Sequence, residues 1–317
     1  MNTITLPCQL LCASASAYAI IPTDRGGNYN PLDRLPAPVR ALYQNQYDAV
    51  GFTGTPYVVT DLQIEAALIG KTNAGIIVAF RGTLPPALNW DSFFDWAQDF
   101  MADTQCAEHL PGKVHEGFLF AFNRLREGIL QAIQTLDPSG SLPLYITGHS
   151  KGGGIAPIAA MYFRNANRLT ITQTITFAGP NCGNGDFAIA YDDVFPNHIR
   201  YENYLDIVPI LPPDAEFSYI FIAILESIPD IPVSFLNAVK DMASLNYEPV
   251  GNLEYIHSNG VAESYSKFDA DILLPKRMAE IGLQLLEGNI AAIADAHHAS
   301  CGYRYMQGTC VGTVCPA

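Results

Sequence analysis

Residues 142 to 163 read Leu142-Pro-Leu-Tyr-Ile-Thr-Gly-His-Ser-Lys-Gly-Gly-Gly-Ile-Ala-Pro-Ile-Ala-Ala-Met-Tyr-Phe163. Leu142 to Thr147 is short, apolar and β-branched, the pattern of a strand buried on both faces. From Lys151 onward the residues are small and apolar and read as a buried helix. Between them stands Gly148-His149-Ser150-Lys151-Gly152, a G-x-S-x-G pattern. A strand that becomes a helix within a few residues crowds its own backbone, and glycines on either side of Ser150 remove the clashing side chains. Ser150 is then held at the tip of a strained turn, its hydroxyl exposed beside a helix N-terminus. The pentapeptide alone is weak, because glycine-rich turns are common and some bind phosphate or nothing. Its two flanks supply the context that a nucleophile needs. Pro157 removes a hydrogen bond to Gly153, so the helix is expected to kink or loosen in its second turn.

Working outward, length and composition bound the class. The chain has 317 residues, 49% hydrophobic and 15% charged, enough for a large core and unlike a disordered chain. Length alone suggests about two domains, but no linker-like break appears and one α/β domain of this size is ordinary. The formal net charge of −14 argues against nucleic acid as a partner and against anionic membranes. No apolar run reaches the roughly 20 residues of a spanning helix. Seven cysteines cluster toward the ends: Cys8, Cys12, Cys106, Cys182, Cys301, Cys310 and Cys315. Pairing Cys8 or Cys12 with Cys310 or Cys315 would tie the ends together in an oxidising compartment; free buried thiols are the plainer reading. Their spacing makes no convincing zinc site. The N-terminus lacks a basic region and is not a clear signal peptide, so the compartment stays open.

Other segments alternate between strand and helix. Strand-like runs fall at Tyr57 to Thr60, Leu62 to Ile69, Gly75 to Phe80, Ile171 to Phe177 and Ile199 to Leu205. Helical patterns fall at Val39 to Tyr47, Phe118 to Leu136, Phe187 to Phe195 and Pro275 to Ala296. Alternation of this kind makes an α/β fold with a largely parallel sheet, whose sites form at the carboxyl ends of strands. Arg81-Gly82-Thr83 lies at one such end. Acyl transfer needs two N–H donors aimed at an oxyanion, and Thr83 together with Lys151, the residue after Ser150, could supply them. Asp206, at the end of another buried strand, suits the acid of a triad. In the order Ser, Asp, His the base must follow Asp206, which leaves His257, His297 and His298. His257 reads as a surface residue; one of the adjacent pair is taken, His297 first. His109 and His115 read as structural.

Taken together these motifs resemble the class 3 (fungal-type) lipases of the α/β-hydrolase fold. The carrying pieces, in order, are Ser16-Ala-Tyr18, Phe80-Arg-Gly-Thr83 with Asn89-Trp90 and Asp99, Val114-His-Glu-Gly-Phe118, and Gly148-His-Ser-Lys-Gly152. Phe177-Ala-Gly-Pro180, Asp206-Ile-Val-Pro-Ile-Leu-Pro212, Gly251 to Tyr255 and a late histidine followed by a tyrosine complete them. The resemblance implies a single domain over 1–317, a Ser-His-Asp triad, an oxyanion hole at Thr83 and Lys151, and a lid over 84–104. Trp90, Phe93 and Phe94 would be its apolar face, and Tyr18 would pack near the oxyanion loop. It implies a lipid or small ester substrate met at a lipid–water interface, no cofactor, no metal, and secretion. Four features depart from the family pattern. Lys151 stands where the family usually has Leu, the segment after Trp90 is longer than in compact members, the late histidine is widely spaced from Tyr303, and 215–246 looks inserted, read as a second flap or as core-filling helix.

The expected activity is hydrolysis of acylglycerol esters through an acyl-enzyme, as in a triacylglycerol lipase. A carboxylesterase, feruloyl esterase or phospholipase A1 would use the same triad. A different class, a lipid-binding protein on an inactive hydrolase scaffold, is the remaining reading.

Overall fold

The computed structural model describes residues 4–83, 90–310, 312, 314 and 315. Its main sheet holds β1 (Gly27–Asn28), β2 (Tyr57–Thr60), β3 (Ala66–Lys71), β4 (Ile76–Phe80), β7 (Leu144–His149), β8 (Gln173–Phe177), β10 (Ile199–Asn203), β12 (Asn252–Ile256) and β13 (Ala262–Tyr265), in that spatial order. A small second sheet joins β5 (Thr104–Gln105), β6 (Val114–His115), β9 (Gly183–Asn184) and β11 (Tyr247–Glu248). The helices are α1 (Leu6–Ala17), α2 (Ala37–Val50), α3 (Trp90–Gln98), α4 (Glu116–Leu136), α5 (Lys151–Asn167), α6 (Gly185–Val194), α7 (Ser218–Glu226), α8 (Val233–Met242), α9 (Lys267–Leu286), α10 (Ile290–His297) and α11 (Arg304–Thr309).

From β4 through β7, β8 and β10 to β12 the strands run parallel, with antiparallel strands on both flanks. The first flank is antiparallel because only the tight turn at Thr72 to Gly75 joins β3 to β4, too short for a crossover. The parallel strands are buried on both faces, and alternation assigns each side chain to a layer. Along β4, Ile76, Val78 and Phe80 join the core that includes α4 and α5, while Ile77 and Ala79 join the core that includes α1 and α11. This is the α/β-hydrolase fold.

Several elements differ from the sequence reading, each for a local reason. Small residues around Cys12 to Tyr18 belong to α1, a helix capped by Thr5 and buried almost all round because it packs against β7 and β4. Small side chains let its backbone come close, and Ser14 Oγ lies 3.1 Å from Thr147 Oγ1 across that contact. The strand expected from Leu62 begins only at Ala66. Asp61 gathers the N–H groups of Gln63, Ile64 and Glu65 on one carboxylate oxygen, at 2.8, 2.8 and 2.9 Å, which builds a turn instead. Helix α5 is continuous from Lys151 to Asn167 with Pro157 inside it. The helix read over Pro275 to Ala296 is two helices. Gly288, at φ 69°, ends α9 in the left-handed conformation that glycine tolerates, and α10 starts afresh.

Two disulfides, Cys8–Cys310 and Cys301–Cys315, hold the last residues of the chain to α1 and to the loop after α10. Cys12 stays a buried thiol, with its sulfur within 4.8 Å of those of Cys8 and Cys310. The Cys8–Cys310 bridge spans 302 residues, so it removes much freedom from the unfolded chain. The double variant Cys8→Ser, Cys310→Ser should therefore lose about 2–4 kcal/mol of unfolding free energy. An unchanged urea midpoint would refute this.

Candidate active site

The parallel register brings three strand ends to one edge. Phe80 pairs with Gly148, His149 with Phe177, and Phe177 with Tyr201. Arg81-Gly82-Thr83, Ser150 and Asp206 all follow directly from those ends.

Ser150 has φ 59° and ψ −134°, a region that L residues seldom occupy and that costs on the order of 1–3 kcal/mol. Close packing on both sides holds it there. Its N–H donates to Phe177 O at 3.0 Å, and its carbonyl accepts from Gly153 N at 2.7 Å. A Cβ on Gly148 would lie 2.1 Å from Gly152 O, and one on Gly152 would lie 2.3 Å from Phe80 O. Neither position admits a side chain without moving backbone.

Asp206 is wholly buried, and its carboxylate is held from three sides. It accepts from His297 Nδ1 at 2.9 and 3.0 Å, from the Tyr305 hydroxyl at 2.7 Å, and from Val208 N at 3.0 Å. A carboxylate accepts, so His297 Nδ1 carries the proton and the neutral ring presents a lone pair at Nε2. Nε2 and Ser150 Oγ are both buried, and neither makes a hydrogen bond of ordinary geometry to a described residue. His298 is turned away, stacked on Tyr303 with ring centroids 4.5 Å apart. His257 pairs with Glu263 at 3.1 Å. His115 accepts from Phe118 N and caps α4. Burial lowers its pKa to about 4, so its ring stays neutral.

A second histidine supports the first. His149 Nε2 lies 2.7 Å from the His297 carbonyl, so it must donate there, and its Nδ1 then accepts from the Tyr18 hydroxyl at 2.8 Å. Burial, with His297 nearby, pushes the His149 pKa well below the ordinary value and keeps the ring neutral. Tyr18 also crowds the loop after β4, since a Cβ on Gly82 would lie 2.1 Å from its hydroxyl and 2.9 Å from Ser150 Cβ. The N–H of Lys151, the first residue of α5, has no partner within its own helix. Thr83 is half-buried at the end of the loop after β4 and lines the same cavity as His149 and His297. That cavity measures about 630 Å³, and Tyr18, Leu42, Phe93, Trp96, Ala294 and Tyr303 also line it.

The segment read as a lid lies partly outside the described residues, which resume at Trp90. From there α3 turns Phe93, Phe94 and Trp96 inward, and Trp96 meets His297 edge-on at 5.1 Å. Phe94 packs on Phe235 of α8 at 4.9 Å, and Trp90 Nε1 donates to Asp230 O at 3.0 Å. Asp230 and α8 therefore lie against α3.

Sequence reasoning missed Tyr305 and Asn203. Tyr305 accepts from Asn203 N at 3.0 Å while donating to Asp206, and Asn203 Nδ2 donates to Ala296 O at 2.8 Å. The resemblance pointed to a tyrosine after the histidine, but the one that reaches the acid is Tyr305, not Tyr303. Tyr303 is the N-cap of α11 and Tyr305 lies inside it, about half a helical turn further on, so the two rings point different ways.

The fold and the strand-end site define an α/β-hydrolase. Residues 77–216 match the family model "Lipase (class 3)", a span from β4 through the Asp206 loop. Over that span, a little under half of its length, the chain is similar to the class 3 lipases. It is 35% identical over 211 residues to a Caenorhabditis elegans lipase, covering 64% of this chain and 54% of that one. It is 31% identical over 144 residues to secreted mono- and diacylglycerol lipase 1 of Fusarium solani, covering 44% and 39%. The chain thus spans about half or less of the curated relatives it matches. A triacylglycerol lipase structure described as having a serine protease triad at its catalytic centre superposes with TM-score 0.56 at 18% identity, over 85% of this chain and 88% of that one. The Rhizomucor miehei lipase–propeptide complex superposes with TM-score 0.54 at 18% identity, over 85% and 75%. At those identities the likeness is one of fold.

Replacing Tyr305 by Phe removes a hydrogen bond to a buried carboxylate and leaves Asn203 N–H without its acceptor. Its unfolding free energy should fall by about 1.5–3 kcal/mol. A denaturation midpoint equal to wild type would show that the hydroxyl contributes nothing.

Proposed function

We propose that the chain is a serine ester hydrolase acting on acylglycerols, a triacylglycerol lipase in its mechanism. The observation that carries this is the His297 ring. Asp206 holds its Nδ1–H, and neither its buried Nε2 nor the buried Ser150 hydroxyl makes a hydrogen bond of ordinary geometry among the described residues. In this reading His297 Nε2 takes the Ser150 proton as Oγ attacks the ester carbonyl. Thr83 and Lys151 N–H groups bind the oxyanion. His297 then protonates the leaving alcohol, and water releases the acyl group by the same route. Asp206 keeps the tautomer and stabilises the imidazolium, while Tyr305 and Val208 N–H keep Asp206 in place.

Substrate class follows from the cavity. Its walls are mostly apolar and aromatic, suited to an acyl chain, and the names of the fungal relatives support a mono- or diacylglycerol. Two disulfides support an oxidising compartment, and the relatives named as secreted point the same way. Among the described residues no helix is long and apolar enough to cross a membrane, which fits a lipid met from the water side. A carboxylesterase, feruloyl esterase or phospholipase A1 would share this chemistry and differ only in what the cavity accepts.

Ser150→Ala should abolish labelling by a fluorophosphonate and lower kcat by about five to six orders of magnitude. His297→Ala should cause a loss of similar kind, whereas His298→Ala should keep most of the turnover. Comparable, mild losses in both histidine variants would sink the assignment of the base.

A lid completes the proposal. With α3 closed, its aromatic face covers the His297 ring. Exposing that face costs about 25 cal/mol per Å² in water, a cost relieved where lipid replaces water. An interface would then bind the open form better and shift the population toward it. The rate on an acylglycerol should rise sharply beyond its solubility limit. Trp90→Asp should weaken that rise more than it weakens hydrolysis of a soluble short-chain ester. A hyperbolic rate curve with no break would exclude the lid and favour a carboxylesterase.

A further inference from the structure

We propose that the ion pair between Lys151 and Glu65 fixes the distance between the two oxyanion donors, which makes both side chains positioning residues for the reaction. This rests on the reading of Ser150 as nucleophile. The Lys151 side chain leaves the start of α5 and its Nζ reaches Glu65 Oε1 at 2.6 Å. The Glu65 side chain is 8% exposed and that of Lys151 22%. Glu65 is the residue before β3. Its neighbour Ala66 accepts from Arg81 N at 2.9 Å, and Arg81 leads directly into Gly82-Thr83. A path therefore runs from Thr83 through Arg81, Ala66 and Glu65 to Lys151, closed into a ring by the packing of Gly82 against His149 and Ser150, and both donor peptides lie on it.

The anchor of that ring is rigid. Asp61 collects the N–H groups of the turn that ends at Glu65, and Arg124 of α4 binds Asp61 at 2.8 Å. Fold stability alone gives no reason for the pair, since a mostly buried ion pair contributes little net stability against an apolar substitute. A lysine in the first turn of a helix is also unfavourable against the helix dipole unless it has a partner. A preorganised oxyanion hole, in contrast, gains directly from donors whose spacing cannot drift. Leu at this position would supply the N–H but could not make the link.

Steady-state kinetics on a soluble short-chain p-nitrophenyl ester, with inhibition by an alkylboronate that forms a tetrahedral adduct on serine, test this. Lys151→Met and Glu65→Gln should each lower kcat about 10- to 100-fold and weaken the boronate in proportion. KM should stay within about twofold, because the donors act mainly on the tetrahedral state. The double variant should be no worse than the weaker single one, and Lys151→Arg, which keeps the link, should retain most of kcat. Thermal melts establish that each variant is folded. If Glu65→Gln does not fold, Lys151→Met and Lys151→Arg carry the same comparison. Folded variants with wild-type kcat and boronate affinity, or losses that simply add, would overturn the clamp. A wild type that fails to react with a fluorophosphonate would instead overturn the reading of Ser150.

Discussion

Everything at the candidate site depends on one crowded crossing. There β7 ends, α5 begins, and the loop after β4 passes over both. Backbone atoms of Phe80, Gly148 and Gly152 approach so closely that a single Cβ at either glycine of the turn would overlap a carbonyl. The same crowding leaves Ser150 no choice but a positive φ. Strain of this kind persists only where the surroundings over-determine the backbone. Here the parallel register with β8, the Ser150 N–H bond to Phe177 and the contact of Gly153 with Gly179 do so.

Asp206 and His297 arrive from much later in the chain and need a different kind of support. Asp206 follows β10, and His297 ends a short helix that only Glu287, Gly288 and Asn289 separate from α9. A buried carboxylate is costly unless its oxygens are satisfied, and the partners of Asp206 come from its own loop, from α10 and from α11. Holding α11 there is therefore part of building the site. Cys310, next to the end of α11, is bonded to Cys8 in α1, and α1 in turn carries the chain into Tyr18, whose hydroxyl meets His149. A covalent tie between α1 and α11 thus bounds a continuous set of hydrogen bonds from Tyr18 through His149 and His297 to Asp206 and Tyr305.

Above this lies an apolar layer. Helix α3 turns its aromatic residues toward His297, and α8 packs against it with α7 against α8. Phe221, Leu225, Phe235 and Val239 belong to the main core. Helices α7 and α8 therefore fill core, and α8 supports α3 as well. The free thiol at Cys12 sits beside a disulfide yet is poorly disposed to exchange, because burial pushes its pKa up to about 12 and leaves almost no thiolate.

How much of this was legible in the sequence depends on the range of the forces involved. Local chemistry determined the strand–turn–helix at Ser150, the glycines beside it, the buried parallel strands and the acidic, apolar-rich composition. Each follows from residues within a few positions of one another, and the α/β class follows from their alternation. Tertiary structure alone decided which of two adjacent histidines faces Asp206, since neighbouring side chains at a helix end point in different directions. It also decided that Tyr305 and not Tyr303 reaches the acid, which cysteines pair, and that Lys151 finds Glu65 across the sheet edge. Partners 86 to 302 residues apart meet only after strand register and helix packing have set their positions, and no local pattern encodes that distance.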